Sequence, residues 1–257
     1  MKKIHIASLF ALAGMATAES LDYDTYKATT PASPYMTGLY TVWDFDQGAG
    51  TLAGKVGGTT GGYGNTPKIA YETGNTVDGY GVIDSTGGYV HKTNMGLNDF
   101  TVSVDINTMT VGHLLSLQDS NGKYICLTSS SATPLTLTCD DVTDSVESAV
   151  NPTTSDTTLN WTTITLTRSS NKLTLYVNGV SQGTLEGNNT SITSMQLGKK
   201  YPGGTDVVGI EATIDNLTIW NRALSAEEVA GFVVPEPTTA TLSLLALVGL
   251  AACRRRK

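Results

Sequence analysis

Glu211 and Asp215 stand four residues apart and come nearest in this chain to a catalytic carboxylate pair. Two carboxylates on one strand face can divide nucleophile and acid roles when held about 5.5 Å apart. Here the apolar alternation changes phase between them and no third carboxylate follows, so no catalytic residue is expected and the chain reads as a non-enzyme. Three histidines are present, His5, His91 and His113, and none joins a Ser, His and Asp constellation. His91 and His113 read as ordinary strand or loop positions. Sugar recognition needs an exposed aromatic platform beside amides and hydroxyls. Tyr63, Tyr71, Tyr80, Tyr89 and Tyr201 lie in or beside Gly-rich segments, and of these Tyr63, Tyr71, Tyr80 and Tyr201 are the candidate ligand contacts. Trp43, Trp161 and Trp220 fall in strand patterns and are expected in the core.

Cys126 and Cys139 bracket a Ser-rich link whose midpoint falls between Ala132 and Thr133. A hairpin centred there sets the two cysteines opposite each other on adjacent strands, within bonding range. The reading favours a disulfide over two thiols. It would close a loop of about 14 residues, worth roughly 3 kcal/mol in the chain-entropy account.

The elements that must position these residues are strands. Phe100, Val102, Val104 and Ile106 alternate with polar residues, the period of a half-buried strand. Leu39 to Phe45 reads as the first strand, and the Gly-rich stretch 46 to 66 as a long loop with room for one short strand. Asp119 to Gly122, Arg168 to Asn171 and Asn178-Gly179 read as turns. Asn-Gly carries the strongest signal because both residues accept positive φ. Ile210, Ala212 and Ile214 share one parity while Leu217 and Ile219 share the other, which predicts a bulge at Asp215 and Asn216. Ser225 followed by Glu228 is a capping box, predicting a helix over 226–232 that ends before Pro235.

Both ends read as targeting segments. Lys2 and Lys3 precede an apolar stretch from Ile4 to Met15, and Ala16 to Ala18 supply the small residues of a cleavage site, so 1–18 is expected to be a signal peptide with Glu19 as the mature start. At the other end Pro235, Glu236 and Pro237 lead into an uncharged run over 238–253, closed by Arg254, Arg255, Arg256 and Lys257. That run is roughly 24 Å as a helix, slightly short of the roughly 30 Å hydrocarbon core, and its basic end would stay cytoplasmic. Between the ends lie an extended lead-in over 19–38 and one domain over 39–233. Six of the 16 Lys and Arg residues belong to the two ends, leaving 10 against 23 acidic residues. Such a surface gains nothing from counterion release on a phosphate backbone, which excludes nucleic acid as a partner and favours neutral ligands, cations or solubility alone.

The 234–257 tail resembles the PEP-CTERM sorting signal of Gram-negative bacteria, which implies an exosortase-type processing enzyme, transient inner-membrane anchoring and a final place at the cell surface or in the matrix. A plain single-pass anchor is the alternative. Three further segments resemble the laminin G-like, concanavalin A-type jelly roll. They are Trp43 to Thr51, the hairpin from Trp161 through Leu-Tyr-Val-Asn-Gly ending at Gly179, and Ile214 to Glu228. The resemblance implies an all-β, two-sheet antiparallel sandwich over roughly residues 39 to 232. Hydrolases of this architecture carry a Glu-x-Asp-x-x-Glu strand, which is missing here. The resemblance also implies Ca²⁺ at the rim, where oxygen ligands suit an acidic loop. Among Asp44, Asp46, Asp140, Asp141, Asp144 and Asp206, the pair Asp140 and Asp141 beside Cys139 is the preferred site, although solvated charge accounts for each of them. The expected function is binding of a glycan or another surface protein. A glycoside hydrolase with unfamiliar residues and a purely structural matrix component are the alternatives.

Overall fold

The structure is a computed structural model that describes residues 18–20, 33–45, 62–64, 69–71, 81–83, 89–130, 135–140, 142–148, 161–187, 190–199 and 210–235. In chain order its strands are β1 Ala18–Ser20, β2 Leu39–Trp43, β3 Gly62–Gly64, β4 Ile69–Tyr71, β5 Gly81–Ile83, β6 Tyr89–Leu97, β7 Phe100–Met109, β8 Gly112–Asp119 and β9 Tyr124–Ser129. They continue with β10 Thr136–Cys139, β11 Ser145–Glu147, β12 Thr162–Ser169, β13 Lys172–Val177, β14 Val180–Glu186, β15 Ile192–Leu197, β16 Ala212–Trp220 and β17 Val233–Pro235. A 3-10 turn over Pro34–Met36 precedes β2, and helix α1 spans Ala226–Phe232.

The strands form two sheets. The larger runs β14-β13-β12-β7-β16-β5-β4, with β2 alongside β16 and the β1–β17 pair attached to β12. The smaller runs β11-β10-β9-β8-β15-β6-β3. Their inner faces share one apolar core. Val102, Val104, Ile164, Leu166, Leu175 and Leu217 come from the larger sheet, and Val90, Leu115, Leu127, Leu137 and Leu197 from the smaller. The all-β sandwich expected from the alternation is the fold observed.

Local chemistry sets the joints. Asn178 and Gly179 take φ of 49° and 75°, the positive values a two-residue hairpin turn demands. In β16 the register against β7 shifts between Asp215 and Thr218, and Asn216 has φ 49°. The bulge lies where β16 changes neighbours on its other side, from β5 at Ala212 to Ile214 to β2 at Leu217 to Trp220. One strand thereby serves two partners. The Ser225 hydroxyl accepts from the Glu228 amide while the Glu228 carboxylate accepts from the Ser225 amide, closing both halves of the capping box.

Helix α1 covers part of the outer face of the larger sheet. Val229 and Phe232 pack with Tyr35, Val42, Tyr176 and Trp220 in a second apolar cluster, each side chain contributing roughly 1.5–3 kcal/mol by leaving water. Phe232 meets the edges of Tyr35 and Trp220 at centroid distances of 5.3 and 5.0 Å. Arg222 fastens the chain preceding β2 to the helix. Its Nε donates to Thr37 O at 2.7 Å, and its two terminal nitrogens reach the Glu228 carboxylate at 2.8 Å each.

The expected Cys126–Cys139 disulfide is corrected by the register. Cys126 pairs with Thr138, and Cys139 pairs with Ile125. The hairpin is centred half a residue away from the midpoint of the two cysteines, which puts them one residue out of register, and a one-residue slip turns a side chain to the opposite face. Cys139 enters the core beside Leu137, whereas Cys126 points to the outer face, and both are buried thiols. The apolar run 238–253 and the segment 1–17 lie outside the described residues. Among the described residues no helix is long and apolar enough to cross a membrane.

Candidate functional site

The register of the smaller sheet aligns its strands residue by residue. One row runs Val90, Leu197, Leu115, Leu127, Leu137, Val146 across six strands, and every member belongs to the core. The neighbouring row must therefore face outward, since successive side chains alternate across a sheet. That row runs His91, Gln196, Ser116, Cys126, Thr138, Ser145, with Gly62 of β3 opposite His91. It crosses all seven strands at roughly 4.8 Å each and carries amide, hydroxyl, imidazole and thiol groups with no carboxylate.

A second outward row lies beside it: Thr93, Ser194, Gln118 and Tyr124. Gln118 Nε2 donates to the Tyr124 hydroxyl at 2.9 Å, and Ser194 Oγ donates to Gln118 Oε1 at 3.4 Å. This row is internally satisfied, which fixes the Tyr124 ring. In the first row Ser116 Oγ and Cys126 Sγ lie 3.8 Å apart. Gln196 differs. It is 4% exposed and its Oε1 has no hydrogen-bond partner. A buried acceptor left unmade costs about 1–3 kcal/mol; Ser116 and Cys126 beside it are 1 and 4% exposed, so this stretch of the row is closed to solvent, and the accessible hydrogen-bonding groups of the face are Thr93, Gln118, Tyr124, Thr138 and Ser145.

Two carboxylates bordering the face, Asp119 and Asp140, are occupied, while Asp144 and Glu147 at the β11 edge are exposed. Asp119 Oδ1 accepts from the amides of Asn121 and Lys123 at 2.8 and 2.9 Å, which shapes the β8–β9 turn. Asp140 Oδ2 accepts from the Tyr124 amide at 3.1 Å. Among the described residues no three His, Cys, Asp or Glu side chains gather as metal ligands, and Asp141 lies outside them. The carboxylate pair weighed from the sequence belongs to the other sheet: Glu211 is exposed just before β16, and Asp215 sits in the bulge. Two buried carboxylates belong to that sheet: Asp44, 2% exposed just after β2 and weighed from the sequence as a calcium ligand, and Asp105, which the sequence did not single out. Asp105 Oδ1 accepts from Thr163 Oγ1 at 2.6 Å and Oδ2 from Asn216 Nδ2 at 3.1 Å.

The candidate tyrosines do not form one platform. Tyr63 lies in β3, paired with Val90, at the edge of the smaller sheet. Tyr71 lies in β4, paired with Gly81, at the edge of the larger. Tyr80 and Tyr201 lie outside the described residues. The aromatic that stands on the polar face is Tyr124. Its signal in the sequence was its parity with Cys126 just after the Asp119 turn. Trp43, Trp161 and Trp220 are 0, 6 and 0% exposed, as core residues should be.

Residues 84–230 match the family model of the concanavalin A-like lectin/glucanases superfamily (laminin G type). The chain belongs to this superfamily. The matched span begins after β2 in sequence, yet β2 completes the superfamily sandwich by pairing with β16. Residues 233–257 match the PEP-CTERM protein-sorting motif, which marks proteins exported to the cell surface in Gram-negative bacteria and implies processing by an exosortase. No curated protein matches the chain.

Solved structures agree on the fold. Domain 4 of an extracellular arabinanase from Geobacillus stearothermophilus, in complex with arabinotriose, aligns with TM-score 0.59 at 16% identity, over 76% of this chain and 97% of that one. A Trypanosoma rangeli sialidase mutant displaying trans-sialidase activity aligns with TM-score 0.56 at 14% identity, over 84% of this chain and 35% of that one. The botulinum neurotoxin serotype G binding domain gives TM-score 0.51 at 16% identity, over 74% of this chain and 49% of that one. The chain thus spans about a third of the sialidase and half of the neurotoxin domain. At these identities the likeness concerns the sandwich alone.

Proposed function

We propose that the exported domain is a non-catalytic module that binds a neutral glycan on the outer face of its smaller sheet, and that the C-terminal tail delivers it to the cell surface or matrix. The observation that carries this reading is Gln196. Its buried, unpartnered Oε1 lies in a row of hydroxyls and amides that crosses all seven strands. A face with hydrogen-bonding groups and no central carboxylate suits a ligand made of hydroxyls, and the acidic composition of the chain disfavours an anionic one. The sandwich is shared with a domain solved in complex with arabinotriose, which is consistent with a sugar ligand. Helix α1 covers part of the other sheet's outer face; on this one Thr93, Gln118, Tyr124, Thr138 and Ser145 are accessible, whereas Gln196, Ser116 and Cys126 are 4% exposed or less, so a sugar must uncover Gln196 to bond it.

The test is a glycan array probed with the secreted chain and with Gln196→Ala. Binding to one class of neutral glycan, weakened roughly two- to ten-fold by the substitution, is expected from one lost hydrogen bond. Binding that survives in Gln196→Ala would move the site elsewhere. Release of reducing sugar from the bound glycan would instead support a hydrolase.

A further inference from the structure

The polar face of the smaller sheet is open at its β9–β11 end. Ser194, Gln196, Ser116 and Cys126 are 7, 4, 1 and 4% exposed, so the middle of both outward rows is closed. Beside them Tyr124 and Thr138 are half-buried, and Asp140 and Ser145 are exposed. Thr138 stands opposite Cys126, and Ser145 opposite Thr138, so both face outward. Tyr124 faces outward too, and its hydroxyl accepts from Gln118 Nε2 at 2.9 Å, which leans the ring toward β8. Asp140 follows β10 directly. Its amide donates to Tyr124 O at 3.0 Å and its Oδ2 accepts from the Tyr124 amide at 3.1 Å, pinning the carboxylate at the base of the Tyr124 side chain. That bond engages Oδ2, and Oδ1 of this exposed residue is open to a ligand.

We propose that Tyr124 and Asp140 form the seat of one sugar ring, and that this ring is an uncharged pyranose with neighbouring equatorial hydroxyls. The proposal rests on the reading of this face as a glycan site and names where on it the ligand lands. A chair-shaped pyranose of this kind carries axial C–H groups on its faces and hydroxyls around its rim. Laid against an aromatic ring, it buries a C–H face and turns its rim hydroxyls toward the groups beside the ring. Here those groups are Asp140 Oδ1, which accepts, and the Thr138 hydroxyl, which donates and accepts. A carboxylate oxygen has two lone-pair sites, so Oδ1 can take hydrogen bonds from two neighbouring hydroxyls, and such charge-assisted bonds are roughly twice as strong as neutral ones. The same carboxylate repels sugars that bear carboxylate or sulfate, as do the exposed Asp144 and Glu147 at the β11 edge. The seat is accessible as it stands. Neither of its two main groups needs Gln196 to be uncovered first.

The experiment probes the secreted chain with pyranose oligosaccharides (cellotetraose, mannotetraose, galactotetraose) and a furanose one (arabinotriose), then measures affinity for the best binder by isothermal titration. A pyranose is expected to bind most tightly. Asp140→Asn should weaken it at least about ten-fold, the loss expected when hydrogen bonds to a charged acceptor are removed. The side-chain carbonyl that this substitution leaves can still accept from the Tyr124 amide, so Tm should be unchanged. Tyr124→Ala should weaken binding roughly two- to ten-fold through the lost ring contact, while Tyr124→Phe keeps the ring and should bind like the unaltered chain. Full affinity in Asp140→Asn, or a preference for arabinotriose, would overturn the proposal. If Gln196→Ala weakens binding and Asp140→Asn does not, the glycan face stands and the seat assigned to it falls. If no oligosaccharide binds, the reading of the face falls and the seat falls with it.

Discussion

Arg168 at the end of β12 offers the sharpest test of how the two sheets are joined. Its side chain is fully buried and lies with its guanidinium carbon 4.9 Å from the Phe100 ring centroid. Nε donates to Asn98 O at 2.6 Å, Nη1 to Thr190 O at 2.9 Å and Nη2 to Leu97 O at 3.0 Å. Three carbonyls from the β6–β7 turn and the approach to β15 therefore converge on one cation of the larger sheet. Burial lowers its pKa from the ordinary value, while Asp99 and Asp119 oppose that shift. Arg168→Met keeps most of the volume and removes every donor. Hydrogen bonds to a charged group contribute about 1.5 kcal/mol or more each, so three acceptors give a loss of roughly 4 kcal/mol. For a domain of this size that corresponds to a fall in Tm of roughly 8–16 °C. Urea unfolding followed by fluorescence of the buried Trp43 and Trp220 measures it. Arg168→Lys should fall between, because an ammonium lacks the planar fork that spans separate carbonyls. A loss below about 1 kcal/mol in Arg168→Met would refute the reasoning, showing that desolvating the guanidinium cancels all its bonds.

Other perturbations follow from the same geometry. The Arg222 guanidinium, with help from the Ser225 amide, holds the Glu228 carboxyl below its usual range. The stability this contributes is present above the unfolded carboxylate pKa and lost as pH falls through the depressed folded value, so Glu228→Gln should flatten the acid limb of a Tm-against-pH curve and, for a pair that solvent screens, cost no more than about 1 kcal/mol at neutral pH. Gly179 has φ 75°, and a Cβ there would lie 3.1 Å from Ala230 Cα in the helix. Gly179→Ala should lower stability by more than about 1 kcal/mol in the same urea assay. With Cys126 and Cys139 on opposite faces, reductant should leave Tm unchanged, and both thiols should react with a thiol reagent only after unfolding. A reductant-sensitive Tm would show that a bridge forms.

Alternation and turn chemistry made most of the fold legible in the sequence. The Asn178-Gly179 turn, the capped helix and the phase change at Asp215 each left a local signature that the structure follows. The cysteine pairing was not legible, because a symmetric loop and one displaced by half a residue look alike until the ladder is seen. The polar row was hidden for a related reason. His91, Gln196, Ser116, Cys126 and Thr138 are scattered over five strands, and only the register makes them neighbours. Tyrosines in Gly-rich segments drew attention by composition, yet Tyr63 and Tyr71 went to edges of different sheets. Tyr124, beside an ordinary turn, reached the polar face.

The central claim is that the outward face of the smaller sheet is where this protein meets its ligand. A ¹H–¹⁵N spectrum of the secreted chain, titrated with the glycan selected on an array, tests it most directly. The account predicts shifts concentrated in the Gln196 side-chain amide and in the backbone of Ser116, Cys126 and Thr138. Shifts confined to β13, β14 or the α1 side of the larger sheet would contradict it.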